Sequence, residues 1–212
     1  HGDNIIILKE GENNYSLDEL DIIRILIRLT IQTHFAKQLK ILEKGYKIKV
    51  LSLFFIDRVK NFRDRESTDG RGIYARIFDE EYKKVIKDPR YNVLFKKYPD
   101  LFPEYQNVQK VREGYFARDK RNNEIEIEEW DWEKDETEVK AKSQEDIARG
   151  IQLILEKKDE LISFEEPLAF IFSHSALREG WDNPNVFQLC TLKKGSSEIA
   201  KKQEIGRGLR LP

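Results

Sequence analysis

Three short segments of this chain carry almost no charge: KVLSLFF at the end of Lys47–Phe55, LAFIFS at Leu168–Ser173 and VFQLCTL at Val186–Leu192. A strand with so little polar character suits a central position in a parallel sheet whose two faces are both covered. The segments between them read as helices. Leu20, Ile23, Ile27, Ile31 and Phe35 recur at helical spacing, Ser16-Leu17-Asp18-Glu19 reads as a capping box, and Gly45 offers a stop, so a helix is expected from about Leu17 to Lys44. A further helix is expected over Gly72–Lys87, another from Ser143 to about Ile162, and a last one from Ser196 or Ser197 to about Gly206. IIIL at 5–8 suggests an entering strand, Val111–Ala117 another, and Asp57 a cap for a helix beginning after it. Strands alternating with helices argue for an α/β sheet.

From about Asp64 the character changes. The stretch to Gln109 is charged and aromatic, broken at Asp88-Pro89, Tyr98-Pro99 and Phe102-Pro103, and residues 122–139 hold nine acids and one lysine. A run of that kind is expected to be solvated, with Trp130 and Trp132 anchoring it to the domain. The acids Asp79-Glu80-Glu81 precede polar residues and read as helix surface. The 212 residues are enough for one domain with a sizeable insertion. The net charge of -1 gives no global basic field, so nucleic-acid contact would need a local patch. The single cysteine, Cys190, excludes an internal disulfide, lacks metal-ligand spacing, and favours a reducing compartment. No apolar run reaches membrane-spanning length and no signal peptide is visible. The chain opens at His1-Gly2 and ends after Arg210-Leu211-Pro212, and is expected to be a piece of a longer protein.

Two C-terminal segments carry chemistry. Gln203 to Arg210 (QEIGRGLR) fits QxxGRxxR and sets Arg207 and Arg210 three apart on one side of a helical turn, with Gly206 and Gly208 allowing close backbone approach. Paired guanidinium groups suit the charge on a transferring phosphoryl group; the same residues also suit a glycine-bearing helix end with two surface arginines. Upstream, SHSALREGWDNPNV leaves an apolar strand at Ser173, turns at Gly180 and presents Asp182. Ligands in open α/β sheets bind at the carboxyl ends of strands, where a carboxylate can hold a ribose hydroxyl and hydroxyl groups such as Ser173 and Ser175 can hold phosphates. There is no GxxxxGK[ST] phosphate loop and no acidic box between apolar strands to hold magnesium. Pro99-Asp100 with Glu138-Val139-Lys140 only superficially matches a PD…ExK nuclease, because no apolar strand frames Glu138.

ALREGWDNPNVFQLCTL followed by QEIGRGLRLP resembles motifs V and VI of superfamily 2 helicases, and the wording is similar to the Res subunits of type III restriction enzymes. KVLSLFFIDRVKNFRD resembles the motif IV region of that family, and VREGYFA and SFEEPLAFIFSHSALREGWD fit it too, so the resemblance runs from about Ser16 to Pro212 and is weakest over 64–142. It implies a RecA-like parallel sheet flanked by helices, of the P-loop NTPase type: residues 1–212 as one helicase C-terminal lobe, with 64–142 as a charged insertion. It implies that Gly180, Asp182, Gln203 and Gly206 face the nucleotide, and that Arg207 and Arg210 reach the ATP γ-phosphate. Ser173, His174 and Ser175, with Phe55 and Arg58 of the motif IV region, would meet the DNA backbone, although His174 stands where many relatives have threonine. ATP and Mg2+ would be held mainly by a first RecA-like lobe of the same polypeptide. The other implied partners are double-stranded DNA and a Mod methyltransferase subunit, and the implied location is the cytoplasm with no membrane. A lobe used only for docking to DNA or a subunit, or a lobe from a repair or RNA-processing helicase, are the rival readings.

Overall fold

The computed structural model describes residues 18–64, 66–116, 157–174 and 183–192. The first helix, α1 (Glu19–Glu43), starts two residues later than the spacing predicts, with Asp18 at its N-cap accepting a 3.4 Å bond from the Leu20 N–H. It stops where Gly45 takes a φ of 82°, which a side chain disfavours.

Four strands follow among the described residues: β1 (Leu51–Ile56), β2 (Arg112–Tyr115), β3 (Phe170–Ser173) and β4 (Val186–Leu192). They form one sheet in the order β2-β3-β1-β4, with every pairing parallel. This is the expected α/β architecture, a RecA-like parallel sheet with flanking helices. β1 is central and every one of its residues is buried. Its alternation divides the core. Phe54 and Ile56 face α1, α2 (Ile73–Val85) and α3 (Pro89–Lys97), while Leu51, Leu53 and Phe55 pack on the other face with Leu161 of a short helix, α5 (Lys158–Ile162). Covering both faces explains why the strand needs no polar positions. The one polar residue in β1, Ser52, is satisfied below α1: it accepts from His34 Nδ1 at 2.9 Å while donating to Gln188 Oε1 of β4 at 2.9 Å.

The described part of the charged segment is woven into this core. Residues 66–116 supply α2, α3, a one-turn helix α4 (Val108–Val111) and the edge strand β2. Tyr82 and Phe78 of α2 are fully buried, and Phe78 packs edge-on against Phe54, Phe170 and Phe172 at centroid distances of 5.0–6.0 Å. One expectation is overturned. Asp79 and Glu81 are not helix surface but are buried, at 3% and 0% exposure. Arg112 grips Asp79 through two bonds of 2.5 and 2.9 Å and Arg71 adds a third at 2.8 Å, while Glu81 receives Arg24, Arg28 and Lys84 at 2.5–2.9 Å. Each carboxylate pins α2 to another element, to β2 in one case and to α1 in the other. A buried carboxylate persists only when its lone pairs are met in this way. At the amino end of β1, buried Lys49 donates to the carbonyls of Leu161, Ser163 and Glu166 at 2.5–3.1 Å, fixing the turn after α5 to the sheet.

The remaining expectations are only partly within view. β3 and β4 match their apolar runs, and β2 occupies four residues of Val111–Ala117. Of the helix expected from Ser143, only Lys158–Ile162 is described. The strand at 5–8, the acidic run 122–139 and the helix expected near 196–206 lie outside the described residues.

Candidate functional site

Because the strands are parallel, Ile56, Tyr115, Ser173 and Leu192 all end at the same edge of the sheet. This carboxyl edge is where open α/β sheets receive ligands. Two distinct surfaces meet there.

On one face the register sets Tyr115, Ser173, Phe55 and Thr191 side by side across all four strands. Ser173 and Phe55, named separately from sequence, are thus immediate neighbours. Both are buried, Ser173 completely and Phe55 to 7% exposure. The Ser173 hydroxyl has no hydrogen-bond partner among the described residues. An orphaned buried hydroxyl costs about 1–3 kcal/mol relative to a satisfied one. Its strand neighbours on this face are the Phe55 and Tyr115 rings, and burial pushes the Tyr115 phenol's pKa up. β3 then leads through half-buried His174 into SALREGWD.

On the other face, the turn after β1 and the starts of α1 and α2 enclose an open cleft of about 410 Å³, lined by Glu19, Leu20, Asp57, Arg58, Asn61, Ile73 and Tyr74. Asp57 organises the turn: its carboxylate accepts from the Arg58 N–H at 2.9 Å and from Asn61 Nδ2 at 2.6 Å, leading into a 3-10 turn at Val59–Asn61. Tyr74 closes the back of the cleft, donating to the Leu192 carbonyl at 3.5 Å. Burial first, and the Asp57 carboxylate second, raise its phenol's pKa. Arg58 is exposed and makes no ion pair among the described residues. The neighbouring arginines are engaged: Arg63 pairs with Glu113 of β2, while Arg71 and Arg76 reach Asp69 at 2.8 and 2.9 Å. Among the described residues, Arg58 is therefore the arginine of this turn left available to an anion.

The structure places the proposed DNA-facing residues on both sides of β1: Arg58 on the open cleft, Ser173 and Phe55 beneath the opposite face. Ser175, Gly180, Asp182, Gln203, Gly206, Arg207 and Arg210 lie outside the described residues. Sequence reasoning did not single out Tyr115, Thr191, Asn61 or Tyr74, since their place at this edge follows from strand register and from the fold of the turn. Asp100 of the nuclease look-alike is exposed in a 3-10 turn. Among the described residues no cluster of histidine, cysteine or acid side chains could hold a metal ion, and no helix is long and apolar enough to cross a membrane.

Comparison with known proteins adds what the geometry alone does not. The chain is 35% identical over 99% of its length to the type III restriction-modification enzyme EcoP15I Res subunit of Escherichia coli. The chain is a relative of the type III Res subunits. It is also 34% identical, over its whole length, to the EcoPI Res subunit of Escherichia phage P1, and 32% identical over 86% of its length to the StyLTI Res subunit of Salmonella typhimurium. It spans only 18–20% of the length of these Res subunits. No family model and no solved structure matches it.

Proposed function

We propose that this chain is the second RecA-like motor lobe of an ATP-dependent DNA translocase or helicase acting in a type III restriction-modification system. The observation that carries the proposal is the alignment of a Res-like sequence with the sheet. SHSALREGWD departs from the carboxyl end of β3, in the interior of an all-parallel sheet, beside the turn after β1. These are the positions from which such a sheet presents residues to a nucleotide and a phosphate backbone.

The donor chemistry fits ATP. Asp182 offers a carboxylate to a ribose hydroxyl, and Arg207 and Arg210 offer guanidinium groups to a γ-phosphate held by a first lobe of the same polypeptide. ATP with Mg2+ supplies the phosphoryl group whose transfer drives the motor. This chain's arginines neutralise charge on the phosphate when the lobes close, and withdraw when they open. Gly180, Gln203 and Gly206 shape the approach to the nucleotide. Arg58, on its open cleft, meets the DNA backbone. Ser173 lies covered, so its orphaned hydroxyl reaches a phosphate only when the residues over it move; Phe55 then forms the floor beside it. Segment 64–142 is a charged insertion in the lobe whose described residues, 66–116, are built into the core rather than set outside it. Double-stranded DNA and a Mod subunit are the partners of the full-length protein, in the cytoplasm.

The test is DNA-stimulated ATP hydrolysis by the full-length polypeptide with Arg207→Ala and Arg210→Ala. Arginines acting on a transferring phosphoryl group contribute roughly 10³–10⁵ in rate, so each variant should lose most of its turnover while retaining DNA binding. Near-normal turnover in both would refute the assignment.

A further inference from the structure

α1 carries two apolar faces. One, formed by Ile23, Ile27, Ile31, Phe35 and Leu42, belongs to the core. On the opposite side, Ile22, Ile25 and Leu29 are 46%, 39% and 52% exposed, and Thr33 and Ala36 continue the line, also exposed. At 3.6 residues per turn these positions run straight down the helix for roughly 21 Å. No charged residue stands on the line from Ile22 to Ala36, although 36% of the chain is charged. The Thr33 hydroxyl is already bonded to the Leu29 carbonyl at 2.8 Å. Arg24 and Arg28 are held by Glu80 and Glu81 of α2 and Lys37 lies over the Phe187 ring at 5.4 Å, while exposed Lys40 stands one turn beyond Ala36 and ends the line. The long stems of Arg24, Arg28 and Lys37, which could otherwise shield such a stripe, are thus committed elsewhere.

Two observations bear on what covers it. The line is too narrow for a free partner: three large side chains and an alanine fall far short of the ~800 Å² per side that a stable association between separate chains needs. A tethered partner needs much less, because linkage raises its effective concentration to about the millimolar range. The tether is at hand, since the Res relatives match 86–100% of this chain while it spans only 18–20% of their length. We propose that the outer line of α1 is an intramolecular interface, covered in the full-length polypeptide by an apolar segment from outside residues 1–212. The proposal rests on the kinship with Res subunits and not on the motor reading.

The experiment places the photoreactive p-benzoylphenylalanine at Leu29 of the full-length polypeptide, and at exposed Lys83 of α2 as a control, and maps cross-links by mass spectrometry after irradiation. The expected result is an intramolecular cross-link from Leu29, but not from Lys83, to a segment outside residues 1–212. Hydrogen exchange in that segment should rise at least tenfold in the Ile25→Asp/Leu29→Asp variant, while the core amide of Ile27 stays protected. A cross-link to residues 1–17 or elsewhere in this stretch, a cross-link joining two chains, or none at all would overturn the proposal.

Discussion

Replacing Glu81 with glutamine tests whether the buried carboxylates of α2 hold the fold together. Burial opposes ionisation of Glu81, but bonds from Arg28, Lys84 and Arg24 outweigh it and lower its pKa from 4.5 to about 2. At ~1.4 kcal/mol for each tenfold change in proton affinity, this preference is worth about 3 kcal/mol. Arg24 and Arg28 are 31% and 42% exposed, so solvent screening reduces the expected effect to about 2 kcal/mol. For a chain of this size that corresponds to roughly 4–8 °C in thermal midpoint. The sign follows from linkage. A carboxyl whose folded pKa is depressed contributes its full stability above the unfolded value of 4.5, and that contribution drains away as pH falls from 4.5 towards 2. Urea denaturation followed by circular dichroism at pH 7, and stepwise down to pH 3, should show Glu81→Gln weaker than wild type at pH 7. The gap between the two should narrow below pH 4.5. A variant within about 0.5 kcal/mol of wild type at pH 7, with an unchanged gap at pH 3, would mean that the triple ion pair contributes nothing net.

Removing Arg112 is expected to cost about 3 kcal/mol, the low end for breaking a buried pair, because Arg71 and Gln109 still reach Asp79; chemical denaturation of Arg112→Ala checks it. Gly72→Ala should destabilise the turn before α2, since a Cβ there would lie 2.2 Å from the Lys60 carbonyl oxygen, and loss of a folded yield or a lowered melting temperature is the readout. His34 is fully enclosed; burial, and secondarily the Lys49 charge, lower its pKa from 6.5 to about 3. Its ring nitrogens should therefore report a neutral imidazole by NMR down to about pH 4. Because the unfolded chain binds a proton that the native one refuses between those values, His34 makes stability fall as pH drops through that window.

How much was legible in the sequence depended on whether the signal was local. β1, β3 and β4 were readable because strands buried on both faces must be apolar throughout, and that requirement leaves its mark in consecutive residues. α1 was readable from its spacing, although the capping box at Ser16 pointed two residues too early and Asp18 took the cap. Asp79 and Glu81 were misread because their partners, Arg112, Arg24 and Arg28, lie 33–57 residues away, and nothing in the DEE run announces them. The candidate site divides in the same way. Ser173 and Arg58 could be named from their motifs, but that Ser173 lies buried between Phe55 and Tyr115 is a fact of register. The same holds for Arg58 standing apart from its paired neighbours, which depends on how the turn folds.

The position of β1 also bears on how the lobe is made. The strand is made well before its hydrogen-bonding neighbours on both sides, β3 and β4, which come from residues 170–192. Until those residues leave the ribosome, LSLFFI has two open strand edges, the feature most prone to pairing with another chain. The sheet is therefore committed to folding late and all at once. A nascent chain stalled before Phe170 would be a client for a chaperone, not a half-built domain.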